Sequence, residues 1–202
     1  PKKSIWAFLA AYDCDKDDLQ VLFKIAENMF SLHYDDLAKE CLKTIIELEP
    51  LHLPAYVTLG LIHQKNNNIE EAVICFEDVM NIDPKFVGGY LHLALLYKKN
   101  KEFDKAIKVY QQAIINNPNN HIILSNLGNL FYLQKKYDDA ILCQEKAIKI
   151  DPSSSLVHFN YANTLMQAEK FQKAEDMYKK TLNLDPNFTR AHINLGSMLL
   201  AN

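Results

Sequence analysis

Apolar residues recur along this chain with the three- and four-residue spacing of amphipathic α-helices. In residues 53–86 one predicted helix carries its apolar face on Tyr56, Leu59, Gly60 and His63. A second predicted helix carries its face on Ala72, Phe76 and Val79. The asparagine-rich segment Lys65–Asn68 interrupts the pattern between them, as is typical of a turn. The stretch therefore predicts two helices joined by a short turn, and no part of the chain requires a β-strand.

The same pair of helices recurs every 34 residues. Five prolines stand at this interval, at Pro50, Pro84, Pro118, Pro152 and Pro186. An alanine precedes each proline by twelve residues, at Ala38, Ala72, Ala106, Ala140 and Ala174. An aromatic residue or isoleucine stands three residues before the alanine at Ile69, Phe103, Tyr137 and Phe171, and four before it at Tyr34. Because proline restricts the preceding residue to extended backbone, each second helix is expected to end just before it.

Placing these prolines at position 32 of the unit divides the chain into repeats. The predicted repeats are 19–52, 53–86, 87–120, 121–154 and 155–188, and residues 189–202 form the first helix of a truncated sixth. Residues 1–18 are predicted to form an N-terminal helix, either the remnant of a preceding repeat or a cap, because Phe8 and Ala11 keep the phase. A single hairpin cannot bury its apolar face alone, whereas a stack of hairpins can.

The C-terminal end of the chain is apolar, although the terminal repeats of an array normally carry a polar outer face. The last six residues include Met198, Leu199 and Leu200. We therefore expect the chain to be an excerpt of a longer array, and we expect self-association through its C-terminal helix.

The unit resembles the tetratricopeptide repeat, whose signature is W-x2-L-G-x2-Y, then A-x3-F, then P. The third unit matches it at Tyr90, Leu93, Ala94, Tyr97, Ala106, Tyr110, Ala113 and Pro118. The fourth unit departs from it at Gln144, where an aromatic residue is usual, and the fifth has His158 in place of the bulky first residue. The resemblance implies an all-α fold, a right-handed α-solenoid of stacked antiparallel helix hairpins, that binds proteins and is not an enzyme.

The net charge and the lengths of the apolar runs argue against a nucleic-acid or membrane partner. The chain is 49% hydrophobic and carries a formal net charge of -3. Non-specific binding to nucleic acid needs a basic surplus, so we expect no nucleic-acid partner. The longest apolar runs fall well short of the roughly 20 residues of a membrane helix, so we expect no membrane insertion.

The cysteines fit a structural role better than a chemical one. Cys41, Cys75 and Cys143 occupy the same position of their units and show no C-x-x-C spacing for zinc. Equivalent atoms of adjacent repeats lie on the order of 10 Å apart, beyond disulfide reach. We expect free thiols in the core, hence a cytoplasmic or nuclear protein. Because no phosphate loop, nucleophile motif or metal cluster is present, we expect no catalytic residue, metal or cofactor.

The first helix of each hairpin lines the inner groove in this family, so its non-core positions are candidate binding positions. Asn126, Asn160 and Asn194 stand at position 6 of successive units, and Asn129 and Asn163 stand at position 9. An amide offers both a donor and an acceptor, which matches a peptide bond. The set resembles the asparagine-lined grooves of O-linked N-acetylglucosamine transferases and peroxisomal targeting receptors. Asparagine is frequent throughout the chain, but its composition alone does not predict three copies at a 34-residue interval.

Three further candidates flank the asparagines, and they are Tyr132, Phe159 and Arg190. Chaperone adaptors of this family grip a C-terminal carboxylate with a Lys/Asn/Asn/Lys/Arg clamp. Asn129, Asn160 and Arg190 match that clamp. Ser125 and Asn194 stand where it has a lysine and an arginine, so carboxylate capture is not expected.

The predicted function is a protein–protein interaction scaffold that binds an extended peptide or a partner helix in the concave groove. Two alternatives stay open. One is the substrate-selecting region of a larger enzyme such as a glycosyltransferase, and the other is a chaperone adaptor.

Overall fold

The computed structural model describes residues 16–201, and every regular element in that range is an α-helix. The helices are α1 Lys16–Ser31, α2 Asp35–Leu48, α3 Leu53–Lys65, α4 Ile69–Ile82, α5 Val87–Lys99, α6 Phe103–Asn116, α7 His121–Leu133, α8 Tyr137–Ile150, α9 Ser155–Gln167, α10 Phe171–Leu184 and α11 Thr189–Ala201. The all-α prediction is confirmed. The predicted helix over residues 1–18, with Phe8 and Ala11, lies outside the described residues apart from its last three positions.

Contacts along the chain separate two units, residues 1–96 and residues 97–202. In the first unit each helix from α1 to α4 packs against the next, and α1 also touches α3. The buried side chains of this core include Leu22, Ala26, Ala38, Cys41, Leu42, Ile45, Ala55, Leu59, Ile62 and Cys75. Small residues alternate with large ones, which allows neighbouring helices to approach closely.

The second unit repeats the same arrangement. Each helix from α6 to α11 packs against the next, and α7 also touches α9. The core around α9 and α10 consists of Phe159, Tyr161, Ala162, Leu165, Ala174, Tyr178, Ala191 and Met198. Within each unit the helices therefore form hairpins that stack on their neighbours.

A left-handed residue closes each hairpin turn. His33, Asn67, Lys101, Lys135 and Glu169 have φ between 58° and 66°, and they follow one another at 34-residue intervals. The residue after each of them returns a backbone hydrogen bond into the preceding helix, as Lys136 N–H does to the Phe131 carbonyl at 2.9 Å. This pattern satisfies carbonyls that a helix end leaves without partners. The turn near Lys65–Asn68 lies where the sequence predicts it.

The Asp-Pro sequences shape the link between hairpins. The carboxylates of Asp83, Asp151 and Asp185 each accept a hydrogen bond from the backbone N–H two residues later, at distances from 2.9 to 3.0 Å. This local turn competes with helix and stops it, as the side chains of aspartates commonly do.

The prediction of free thiols in the core is confirmed for three of the cysteines. Cys41, Cys75 and Cys143 are free and buried. Burial raises the pKa of Cys75 and of Cys143 to about 11. These thiols are therefore protonated at neutral pH and pack as small apolar groups.

Candidate peptide-binding surface

The first helices of the second unit bring most of the predicted asparagines to one surface. Two open cavities lie side by side there and share Tyr132 and Asn163. The first, of about 200 Å³, is lined by Lys98, Asn129, Tyr132, Leu133, Asn160 and Asn163. The second, of about 260 Å³, is lined by Tyr132, Asn163, Met166, Gln167, Tyr178, Asn194 and Ser197. We call the combined lining the amide surface. It contains five of the eight predicted site residues.

A hydrogen-bonded cluster lies at the centre of the amide surface. The Tyr178 hydroxyl donates to Asn163 Oδ1 at 2.7 Å, and Asn194 Nδ2 donates to the same oxygen at 2.9 Å. Both lone pairs of Asn163 Oδ1 are thereby engaged. Asn194 Nδ2 also lies 3.4 Å from the Tyr178 hydroxyl. The cluster fixes the orientation of both amide groups, although their residues are 31 positions apart.

The two phenols of this surface are neutral donors. Burial raises the pKa of Tyr178, partly offset by its hydrogen bond with Asn194. Burial also raises the pKa of Tyr132, with a smaller contribution from Tyr137, whose ring centroid lies 6.0 Å away. Since an ordinary tyrosine already titrates near 10, both hydroxyls keep their protons at neutral pH.

Asn129 and Asn160 differ from the central pair. Each is half-buried, and neither side chain forms a hydrogen bond with any residue in the described range. Both line the cavity that Lys98 also lines. Their amides are therefore available to a ligand, because a half-exposed amide exchanges water for a new partner at little cost.

Three predicted residues lie elsewhere. Phe159 is only 5% exposed, with its ring 4.8 Å from that of Phe188 and 6.1 Å from that of Tyr178. Arg190 is stacked over Phe159 and Phe188, with its guanidinium carbon 5.2 and 5.6 Å from the two ring centroids. Asn126 is half-buried and lines neither cavity. Phe159 is thus a core residue, and Arg190 rests on aromatic rings as a cation–π partner.

Tyr178 is the functional candidate that the sequence analysis missed. It lies on the second helix of its hairpin, α10, at the aromatic position of the repeat signature. It is 2% exposed overall, yet its hydroxyl reaches the amide surface. A tyrosine instead of a phenylalanine at this position is the signal that could have indicated a polar role.

The C-terminal helix α11 presents apolar side chains to solvent. Ile193, Leu199 and Leu200 are 60%, 53% and 91% exposed. Self-association through this helix stays a prediction.

The described part of the chain contains no cluster of three histidine, cysteine, aspartate or glutamate side chains able to hold a metal ion. Within the same residues, no helix combines the length and apolar character needed to cross a membrane.

The stacked hairpins, the 34-residue register and the left-handed turns together define a helical-repeat protein. Models of the tetratricopeptide repeat family match residues 53–86, 91–155 and 131–202. The chain belongs to the tetratricopeptide repeat family. A search of curated proteins found no match.

Solved structures of low sequence identity share the fold. A tetratricopeptide repeat protein from Parabacteroides merdae matches 91% of this chain and 73% of its own at 19% identity, with a TM-score of 0.74. MamA from Desulfovibrio magneticus matches 87% of this chain and 99% of its own at 16% identity, with a TM-score of 0.67. YrrB, described as a TPR protein with an unusual peptide-binding site, matches 93% and 97% at 20% identity, with a TM-score of 0.66. The fold prediction of stacked tetratricopeptide hairpins is thereby confirmed.

Proposed function

We propose that the chain is a protein-interaction module that binds an extended peptide segment on the amide surface. The observation that carries the proposal is the convergence of four asparagines and two tyrosines on two adjoining open cavities. Side-chain amides are the natural counterparts of a peptide backbone, since each offers a donor and an acceptor in one plane. Stacked first helices hold such amides rigidly, which reduces the entropy lost on binding.

The Asn163–Asn194 hydrogen bond determines which atoms of the two amides remain free for a ligand. It consumes an acceptor on Asn163 and a donor on Asn194, and it leaves the Nδ2 donor of the first and the Oδ1 acceptor of the second. A donor and an acceptor side by side match the carbonyl and the N–H of a peptide backbone.

The side chains around the amides favour particular ligand residues. Lys98 lines the first cavity and forms no ion pair in the described range, so an acidic ligand side chain fits beside it. Met166 lines the second cavity with the ring of Tyr132, and an apolar ligand side chain fits there because methionine adapts its shape to a partner.

Capture of a C-terminal carboxylate is less well supported. Ser125 is 6% exposed and so offers little surface to a ligand. Arg190 is held against two aromatic rings, and Lys98 is the only charged side chain that lines the two cavities of the amide surface. A C-terminally amidated peptide is therefore expected to bind as well as its free acid.

The proposal is tested by selecting peptides from a random display library on the purified chain and measuring their affinities by calorimetry. The double variant Asn160→Ala/Asn163→Ala is expected to weaken the selected peptides about tenfold or more, because two hydrogen bonds of about 1 kcal/mol each are lost. Asn183→Ala is the matched control, since Asn183 is an exposed asparagine of α10 that lines neither cavity. Equal weakening by the control, or none by the double variant, would reject the amide surface as the binding site.

A further inference from the structure

Position 4 of several hairpins carries a ring that forms a hydrogen bond with the carbonyl of the preceding proline. The hydroxyl or ring nitrogen of the side chain lies within hydrogen-bond distance of the carbonyl oxygen of the proline six residues earlier. The pairs are Tyr90 with Pro84 at 3.1 Å, His158 with Pro152 at 3.0 Å and His192 with Pro186 at 2.9 Å. A carbonyl only accepts, so the ring is the donor in every pair.

The fourth repeat lacks this ring. Leu124 occupies position 4, and the Pro118 carbonyl accepts no hydrogen bond from the described residues. A cavity of about 430 Å³ opens beside these two residues. Its apolar lining also includes Ile114, Leu127 and Ile150. The volume is within the range of about 300–1,000 Å³ typical of ligand pockets.

Two cations border the same cavity. Lys146 and Lys149 both line it and are exposed. Three residues apart on α8, they project from one side of the helix. Neither forms an ion pair in the described range. The neighbouring carboxylates are engaged elsewhere, because Glu145 accepts from the Tyr161 hydroxyl and Asp151 from Ser153.

We infer that this cavity is a second binding site that accepts a tyrosine side chain from an acidic segment of a partner protein. The tyrosine ring fills the space left by Leu124 and packs on Ile114 and Ile150. Its hydroxyl donates to the Pro118 carbonyl, as the hydroxyl of Tyr90 does to Pro84 within the chain. Acidic residues next to the tyrosine pair with Lys146 and Lys149. The site does not depend on the amide surface, with which it shares no lining residue.

The probe is the acetylated, amidated peptide Gly-Tyr-Asp-Asp-Gly with a fluorinated tyrosine, titrated with the full chain and observed by fluorine NMR. Binding is expected to shift and broaden the ligand signal. A peptide with alanine in place of tyrosine is expected not to compete. A peptide with phenylalanine there is expected to compete about fivefold more weakly, because it keeps the ring but loses one hydrogen bond.

Filling the cavity from within tests its location. Leu124→Tyr is expected to abolish peptide binding while thermal stability is retained or raised, since the new ring takes the position of the ligand. Leu124→Phe fills the space without a donor and is expected to abolish binding as well. Undiminished binding by either variant, folded by circular dichroism, or no binding by the unmodified chain, would overturn the inference.

Charge reversal tests the acidic preference. Lys146→Glu is expected to weaken the peptide about fivefold, as loss of an exposed ion pair allows. Lys173→Glu is the matched control, because Lys173 is also exposed, lies on α10 and does not line the cavity. Asn163→Ala is expected to leave the affinity unchanged, and a loss there would place the peptide on the amide surface instead and overturn the inference.

Discussion

The hairpin α3–α4 and the hairpin α7–α8 carry glycine at the same position of their first helix, but different side chains pack over it. A Cβ placed on Gly60 would lie 2.6 Å from a ring carbon of Phe76, which is fully buried. A Cβ placed on Gly128 would lie 3.0 Å from Cγ of Gln144, which is also fully buried. An aromatic ring therefore packs on the glycine of one hairpin, and a polar side chain packs on the glycine of the other.

The buried Gln144 side chain leaves its hydrogen-bonding atoms without partners. Neither amide atom of Gln144 has a hydrogen-bond partner in the structure, although both are buried. A buried unpartnered amide costs about 1–3 kcal/mol in proteins. The same hairpin also carries the cavity beside Leu124. The repeat register therefore survives imperfect side-chain packing, because the helix pair and its turn are set by other residues.

The largest effect is expected from giving the second of these hairpins the packing of the first. Gln144→Phe should raise the free energy of unfolding by about 3 kcal/mol, because it removes two unpartnered polar atoms and buries an aromatic ring. Urea unfolding followed by circular dichroism measures the change. A loss of stability would show that the space above Gly128 is too small for a ring.

Gly60→Ala tests the packing of the first of these hairpins. The added methyl group meets a rigid buried ring, so overpacking of about 3 kcal/mol is reduced by about 1 kcal/mol of improved helix propensity. A net loss of about 2 kcal/mol in the same unfolding assay is expected. Gly196→Ala is the control, since a Cβ there has no heavy atom of the described residues within 4 Å apart from its chain neighbours and its own helix backbone. It should stabilise the protein, and similar losses at both sites would contradict the packing argument.

The turns of the two hairpins differ in how well they suit a left-handed residue. Asn67 has φ 62° and Lys135 has φ 60°. Asparagine tolerates this conformation better than lysine. Lys135→Gly is therefore expected to stabilise the protein by about 1 kcal/mol, and Asn67→Gly by less. Thermal unfolding of the two variants side by side measures the difference, and an equal gain would remove the distinction between the turns.

The smallest expected effect depends on pH. His63 occupies the position at which the second hairpin has Phe131. Burial lowers its pKa, with Glu71 opposing and Lys39 and Lys43 reinforcing the shift. The folded state therefore favours the neutral imidazole, and its stability contribution is full above the unfolded pKa of about 6.5 and is lost as pH falls through the folded pKa.

His63→Phe is accordingly expected to reduce the fall in melting temperature between about pH 8 and about pH 5. The difference at about pH 8 reports packing alone, because the histidine is neutral there in both states. An unchanged slope between the two pH values would show that His63 does not contribute to the acid sensitivity of the protein.

Much of the fold could be predicted because the repeat depends on local patterns. Asp-Pro ends α4, α8 and α10, asparagine-rich sequence marks the turn after Lys65, and helical spacing identifies the buried faces. Each hairpin contacts chiefly its sequence neighbours, so a periodic pattern carries most of the information about packing.

The candidate surface was only partly predictable. Phe159 and Asn160 are adjacent in sequence on a first helix, so both were expected to face the ligand. The rings of Tyr178 and Phe188 bury Phe159, while Asn160 stays half-exposed. The burial of Phe159 thus depends on one ring from the second helix of its own hairpin and one from the segment that follows that helix.

The sequence by itself determined the class, the register and the identity of the polar residues available for binding, because these follow from a period repeated in one dimension. Only the tertiary structure decided that Asn163 and Asn194 bond to each other and to Tyr178. The cavity beside Leu124 is likewise visible only in the tertiary structure. Hydrogen bonds and unfilled volume depend on distances of a few tenths of an ångström between side chains of different helices, and no spacing along the chain specifies those distances.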